Sequence, residues 1–84
     1  MNKSVKLIER FKAEPKDFTW DEMVKLLSRL GFDEVRGGKT GGSRRRFIHE
    51  KAGIITIHRP HPANIVKGYM IKQVRRRLES EGLI

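Results

Sequence analysis

The chain is predicted to fold as an α+β domain. The expected form is a small α-β-β-β-α sandwich in which a three-stranded antiparallel sheet carries two helices on one face, preceded by a short N-terminal helix. Three observations carry that expectation. A capping signature opens one helical run, apolar residues repeat at helical spacing toward both ends of the chain, and three short runs between them are separated by glycines.

The first element is Lys3 to Ala13, where Leu7, Ile8 and Phe11 line one helical face before Glu14-Pro15 stops it. The second opens at Thr19-Trp20-Asp21-Glu22, a T-x-x-E capping box, with Phe18 and Met23 spaced to form a hydrophobic staple. Met23, Leu26, Leu27 and Leu30 then recur at i, i+3, i+4 and i+7, and Gly31 supplies the left-handed stop. Phe32 to Arg36 reads as a short strand, Gly37 to Gly42 as a flexible connection, and Ser43 to His49 as a second strand. Lys51-Ala52-Gly53 turns the chain into a third strand, Ile54 to His58, with Ile55 and Ile57 on one face. Pro60 and Pro62 prevent a regular ladder from Arg59 to Lys67. A last helix runs from about Gly68 to Gly82, with Ile71, Val74 and Leu78 inward, Met70 alongside, and Lys72, Arg75 and Arg76 toward solvent.

Eighty-four residues allow one domain, and 37% hydrophobic residues allow one modest core. The absence of cysteine excludes a disulfide scaffold, a zinc ribbon and a thiol nucleophile, and fits a reducing compartment. No apolar run approaches the ~20 residues of a membrane span, and Met1 to Lys16 lack the apolar core and small-residue cleavage site expected of a secretory signal. The expectation is a soluble cytoplasmic protein with no membrane association. Nineteen Lys and Arg against ten Asp and Glu give a net charge of +9. That charge is clustered. Six cations against one carboxylate give residues 36–51 a net +5, and six cations with no carboxylate give residues 58–77 +6. This is the footprint of a polyanion binder, nucleic acid above all, and also suits a surface for an acidic protein.

Three constellations could carry chemistry. In Gly41-Gly42-Ser43-Arg44-Arg45-Arg46, backbone N–H groups and the Ser43 hydroxyl can meet a phosphate while the guanidinium groups bind its oxygens. No Gly-Lys-Ser/Thr closes the loop, so nucleotide hydrolysis of the P-loop type is excluded. The same residues also suit a flexible hairpin bearing solvated arginines. Strand alternation puts Arg45 with Phe47 on one face and Arg44 and Arg46 with Ile48 on the other; which face is buried stays open.

The second constellation is His58-Arg59-Pro60-His61-Pro62. Prolines restrict the backbone, and imidazole can take and give a proton near neutral pH. Metal-free RNA cleavage needs a base for the 2′-hydroxyl, an acid for the leaving oxygen and cations for the phosphate, which two histidines among arginines can supply. An ordinary His-Pro turn is the alternative. Three histidines, no cysteine and no carboxylate between Lys51 and Gln73 leave too few donors for a zinc site, so no metal or other cofactor is expected. His49, at a strand end, is the least distinctive histidine. The third constellation is the basic face of the last helix, Lys72, Arg75 and Arg76, with Lys67 near its start, which can follow a phosphate backbone. The few aromatics are assigned mainly to the core and staple, so phosphate and shape recognition is expected rather than base stacking.

Together these pieces resemble the HicA family of small bacterial toxins, described as mRNA interferases. The resemblance rests on Leu30-Gly31-Phe32, on Gly41 to Phe47, on the Ile-Thr-Ile-His strand ending at His58, and on the closing Glu-Gly-Leu-Ile. It runs from about Asp17 to Ile84, and looks closest to a branch with His-Arg-Pro-His-Pro. It implies a fold similar to the double-stranded-RNA-binding domain for residues 17–84, with residues 1–16 as a helical extension. It also implies metal-independent mRNA cleavage and neutralisation by a HicB-like antitoxin. One position departs from the family. Where better-known members carry a histidine taken as catalytic, this chain has Arg44, which remains protonated and is a poor general base.

Two readings follow from that departure. Catalysis has moved to His58 and His61, with Arg44, Arg45 and Arg46 holding phosphate, and Arg59, Lys67, Lys72, Arg75 and Arg76 extending the RNA contact; or the chain binds RNA without cutting it. A third reading, from a different class, is a protein-interaction module that presents its basic face to an acidic partner.

Overall fold

The structure is a computed structural model that describes residues 3–35 and 44–84. Helix α1 is Lys3–Lys12, α2 Trp20–Arg29 and α3 Gly68–Ser80; strands β1, β2 and β3 are Asp33–Val35, Arg44–His49 and Gly53–His58. The strands form one antiparallel sheet in the order β1-β2-β3. The expected α+β arrangement is therefore present. No helix among the described residues is long and apolar enough to cross a membrane.

Helix α2 begins as its sequence dictates. The Glu22 N–H donates to Thr19 Oγ1 at 3.1 Å, and Glu22 Oε1 accepts from the Thr19 N–H at 3.0 Å, a reciprocal capping box. Phe18 and Met23, the staple pair, are both fully buried. Phe18 also meets the ring of Phe11 at 5.5 Å, which draws α1 into the same core. Gly31 ends the helix at φ +98°.

Two strands begin one residue away from expectation. Phe32 turns into the core ahead of β1 instead of opening it, and β3 starts one residue early, at Gly53. Phe47, Ile55 and Ile57 are buried with Met70, Ile71, Val74 and Leu78 of α3 and with Trp20, Met23, Leu26 and Leu27 of α2. The Trp20 and Phe47 rings lie 6.1 Å apart. The buried face of β2 is thus the one carrying Arg45 and Phe47. Arg44, Arg46, Ile48, Ile54, Thr56 and His58 share the opposite, exposed face. Helix α1 packs against both α2 and α3.

Candidate functional site

The ladder between β2 and β3 sets the first relationship in the site. Arg44 pairs in register with His58, and Arg46 with Thr56. Directly opposed residues of an antiparallel pair point to the same side, with Cβ atoms about 4.5–5.5 Å apart. His58 therefore stands beside Arg44 on the open face, and both are exposed.

Beyond His58 the chain leaves the sheet but stays anchored. The Trp20 N–H donates to the Asn64 carbonyl at 2.9 Å, and the Val66 N–H to the Phe18 carbonyl at 2.8 Å, forming a bridge between Thr19 and Ile65. Val66 is buried. The His-Arg-Pro-His-Pro segment thus runs from the sheet to the start of α2, fixed at both ends by backbone bonds. The His61–Pro62 peptide is cis.

Two concavities flank this segment. One, of about 290 Å³, is lined by His58, Arg59, His61, Lys67 and Tyr69. The other, of about 720 Å³, is lined by Asp21, Arg45, Arg59, His61 and Asn64 with the prolines of the segment. His61 and Arg59 belong to both. Lys72, Arg75 and Arg76 line a third concavity of about 380 Å³ with Glu14 and Glu79, which shares no residue with the other two. The candidates therefore divide. His58, His61, Arg59 and Lys67 come together, Arg44 faces His58, Arg45 lies on the His61 side, and the α3 stripe is separate. Ser43 and the glycine-rich connection lie outside the described residues.

The cations also divide by what holds them. Arg45 pairs with Glu34 at 3.6 Å. Arg75, expected on a solvated stripe, is taken up by the fold: its Nη1 donates to the Lys12 carbonyl at 2.8 Å and to Glu14 Oε2 at 2.9 Å, and its Nε to Glu79 Oε2 at 3.2 Å. The Glu79 and Glu14 carboxylates hold its pKa above the ordinary guanidinium value. Arg10 is likewise held high by Glu22 and Asp17. Glu22 in turn is lowered, chiefly by the Arg10 hydrogen bond; partial burial opposes this, and the Thr19 N–H assists it. By contrast, Arg44, Arg46, Arg59, Lys67, Lys72 and Arg76 make no side-chain ion pair among the described residues.

His49 has a structural role. Its Nδ1 accepts the backbone N–H groups of Lys51 and Ala52, both at 3.0 Å, and its ring lies 4.9 Å from Phe32. It closes the β2–β3 turn. Among the described residues, no three His, Asp or Glu side chains gather as a metal-ligand set.

Three lining residues were not singled out from the sequence. Asp21 read only as the interior of a capping box, and Asn64 as loop. Tyr69, expected among core or staple aromatics, is 56% exposed and lines the smaller concavity. Its position was the available signal, because Met70 and Ile71 face inward and leave Tyr69 on the outer side of the first turn.

A protein-family model described as the HicA toxin of bacterial toxin-antitoxin matches residues 20–79. No curated protein and no solved structure matches the chain.

Proposed function

This chain belongs to the HicA toxin family of bacterial toxin–antitoxin systems, and on that premise we propose that it is the toxin of a type II pair, acting in the cytoplasm as a metal-independent mRNA endoribonuclease. The observation that carries this reading is the facing pair Arg44 and His58. Arg44 occupies the position at which the family resemblance implies a histidine, and an imidazole stands directly across the ladder from it. The function of that histidine passes to the neighbouring strand, with His61 as the second imidazole.

The chemistry needs no further reactant. One imidazole removes the 2′-hydroxyl proton as O2′ bonds to phosphorus; the P–O5′ bond breaks, and the other imidazole protonates the leaving O5′. The products are a 2′,3′-cyclic phosphate and a free 5′-hydroxyl. Arg44, Arg59 and Lys67 stabilise the extra charge on the pentacovalent phosphate. Ser43, Arg45 and Arg46 hold the adjoining backbone, and Lys72 and Arg76 extend the contact along α3. Residues 17–84 are the RNA-acting unit and residues 1–16 an extension that braces it. A HicB-like antitoxin neutralises the toxin.

The test is incubation of end-labelled RNA with the protein in excess EDTA, beside His58→Ala and His61→Ala variants whose folding is checked by circular dichroism. Wild type cuts, and each variant loses roughly 100-fold or more in rate with little change in RNA retention. Moving the imidazole back across the ladder, in Arg44→His with His58→Ala, recovers part of the rate. Equal cutting by both alanine variants and wild type refutes the assignment.

Arg44 also favours a second reading, a domain that binds RNA without cleaving it. An exposed guanidinium with no carboxylate partner suits phosphate binding. In that case no fragments form at any protein concentration. Neutralising about five phosphates then gives a log K against log salt slope of roughly −3.5 to −4.5.

A further inference from the structure

The larger concavity holds a group that phosphate binding does not explain. Asp21 brings a carboxylate to a surface otherwise built from Arg45, Arg59, His61 and Asn64. Its neighbour Glu22 is fully engaged by Thr19 and Arg10, whereas Asp21 is exposed and makes no ion pair or side-chain hydrogen bond among the described residues. A carboxylate repels phosphate, so in a cleft for RNA it is useful toward the hydrogen-bond donors of a nucleotide, its ribose hydroxyls and its base, and of these only the base can offer two adjacent N–H donors to match its two oxygens.

We infer that this concavity is a base-recognition subsite for a guanine of single-stranded RNA, with the Asp21 carboxylate accepting from the N1–H and N2–H groups of its Watson–Crick edge. The inference rests on the RNA reading above and deepens it. An ionised carboxylate offers two acceptor oxygens and no donor. Guanine alone presents two adjacent donors on that edge. Adenine and cytosine set a ring nitrogen lone pair beside their amino group, and uracil flanks its single N–H with two carbonyls; each would bring an acceptor against the carboxylate. The base must be unpaired for its edge to be read, which selects single-stranded RNA.

The surroundings suit such a ligand. A volume of about 720 Å³ lies within the roughly 300–1,000 Å³ of small-molecule sites. Pro60 and Pro62 supply apolar walls for the base, and Arg45 and Arg59 supply cations for its phosphates. The bond from the Trp20 N–H to the Asn64 carbonyl fixes the start of α2, and so Asp21, against the His61 segment. Because Arg59 and His61 line both concavities, a guanine seated in the larger one directs the adjoining phosphate toward His58 and Lys67 in the smaller.

The test reads binding rather than cleavage, so it stands apart from the catalytic assignment. Short fluorescent adenine oligoribonucleotides, 2′-O-methylated so that they cannot be cut, carry one central guanine, inosine or adenine. Affinity is measured by anisotropy for wild type, Asp21→Ala and the near-isosteric Asp21→Asn, each checked by thermal melting. Wild type binds the guanine oligonucleotide roughly tenfold or more tighter than the adenine one, with inosine, which lacks the N2 amino group, between them. Both variants lose that preference yet bind the adenine oligonucleotide at least as tightly, because a repelling charge has gone. Equal wild-type affinity for guanine and adenine overturns the subsite alone, as does a preference that survives in Asp21→Ala. Loss of adenine binding in both variants would instead make Asp21 a structural residue and also overturns it. Failure of wild type to bind any of the three overturns the RNA reading together with the subsite.

Discussion

Arg10 clasps Glu22 with two parallel donors, Nε to Oε2 at 2.7 Å and Nη2 to Oε1 at 3.1 Å, and so fastens α1 to the first turn of α2. The same carboxylate caps the Thr19 N–H. One side chain thus joins a tertiary contact to a local one, and Thr19 is also the residue that bridges to Ile65.

The acid limb of stability follows from that clasp. Glu22 titrates below its ordinary value of 4.5 in the folded protein, first because Arg10 bonds to it. A lowered carboxylate stabilises the fold above the unfolded pKa, and the contribution is lost as pH falls through the folded value. Thermal melting should therefore show Tm falling as pH drops below about 4.5. Glu22→Gln, which still caps Thr19, flattens this dependence, and Arg10→Ala lowers Tm by a few degrees at neutral pH while also flattening it.

At Gly31, φ is +98°, and an added Cβ would lie 3.1 Å from Nε2 and 3.2 Å from Cδ2 of His49. Gly31→Ala is expected to cost at least about 1–2 kcal/mol from backbone conformation alone, measured by urea denaturation. The crowding adds to that. In a double-mutant cycle with His49→Ala, the two changes cost less together than their sum, because removing the ring relieves the contact. Strict additivity would show that conformation is the whole cost.

Arg75 and Arg76 are adjacent on α3 and should behave differently. Arg75→Ala removes the tie to Lys12, Glu14 and Glu79 and lowers Tm by a few degrees. Arg76→Ala, with no ion pair to lose, leaves Tm unchanged but weakens RNA binding and makes the salt slope shallower by roughly 0.7–0.9. Melting curves and salt titrations on the two variants check both halves.

What the sequence revealed depended on how far apart the partners lie. Thr19 and Glu22 are three residues apart, so their geometry follows from the helix they begin, and the capping box was legible in full. Arg75 and Glu14 are 61 residues apart, and only the packing of α1 on α3 makes them neighbours. The same limit hid Arg10 and Glu22. The Arg44–His58 relationship was closer to hand: its register is set by the turn after His49, where His49 pairs with Gly53. What obscured it was the undecided face of β2: until Phe47 rather than Ile48 is known to turn inward, Arg44 cannot be assigned to the side of the sheet that His58 occupies. Asp21 stayed hidden for a different reason. A first-turn acid is common on helices of every kind, and only the return of the chain at Asn64 gives this one a cleft to line.

The stretch that carries the family likeness is not the stretch that closes the core. The match begins at Trp20, yet Phe11 and Phe18, both fully buried, precede it, as does the Thr19 cap. A protein trimmed to its recognisable portion would keep every candidate catalytic side chain and lose two of its largest interior rings. The histidines would remain on a sheet whose helices had no third wall. The residues ahead of the match are thus structural masonry: the family likeness is recorded in residues 20–79, and solidity begins earlier.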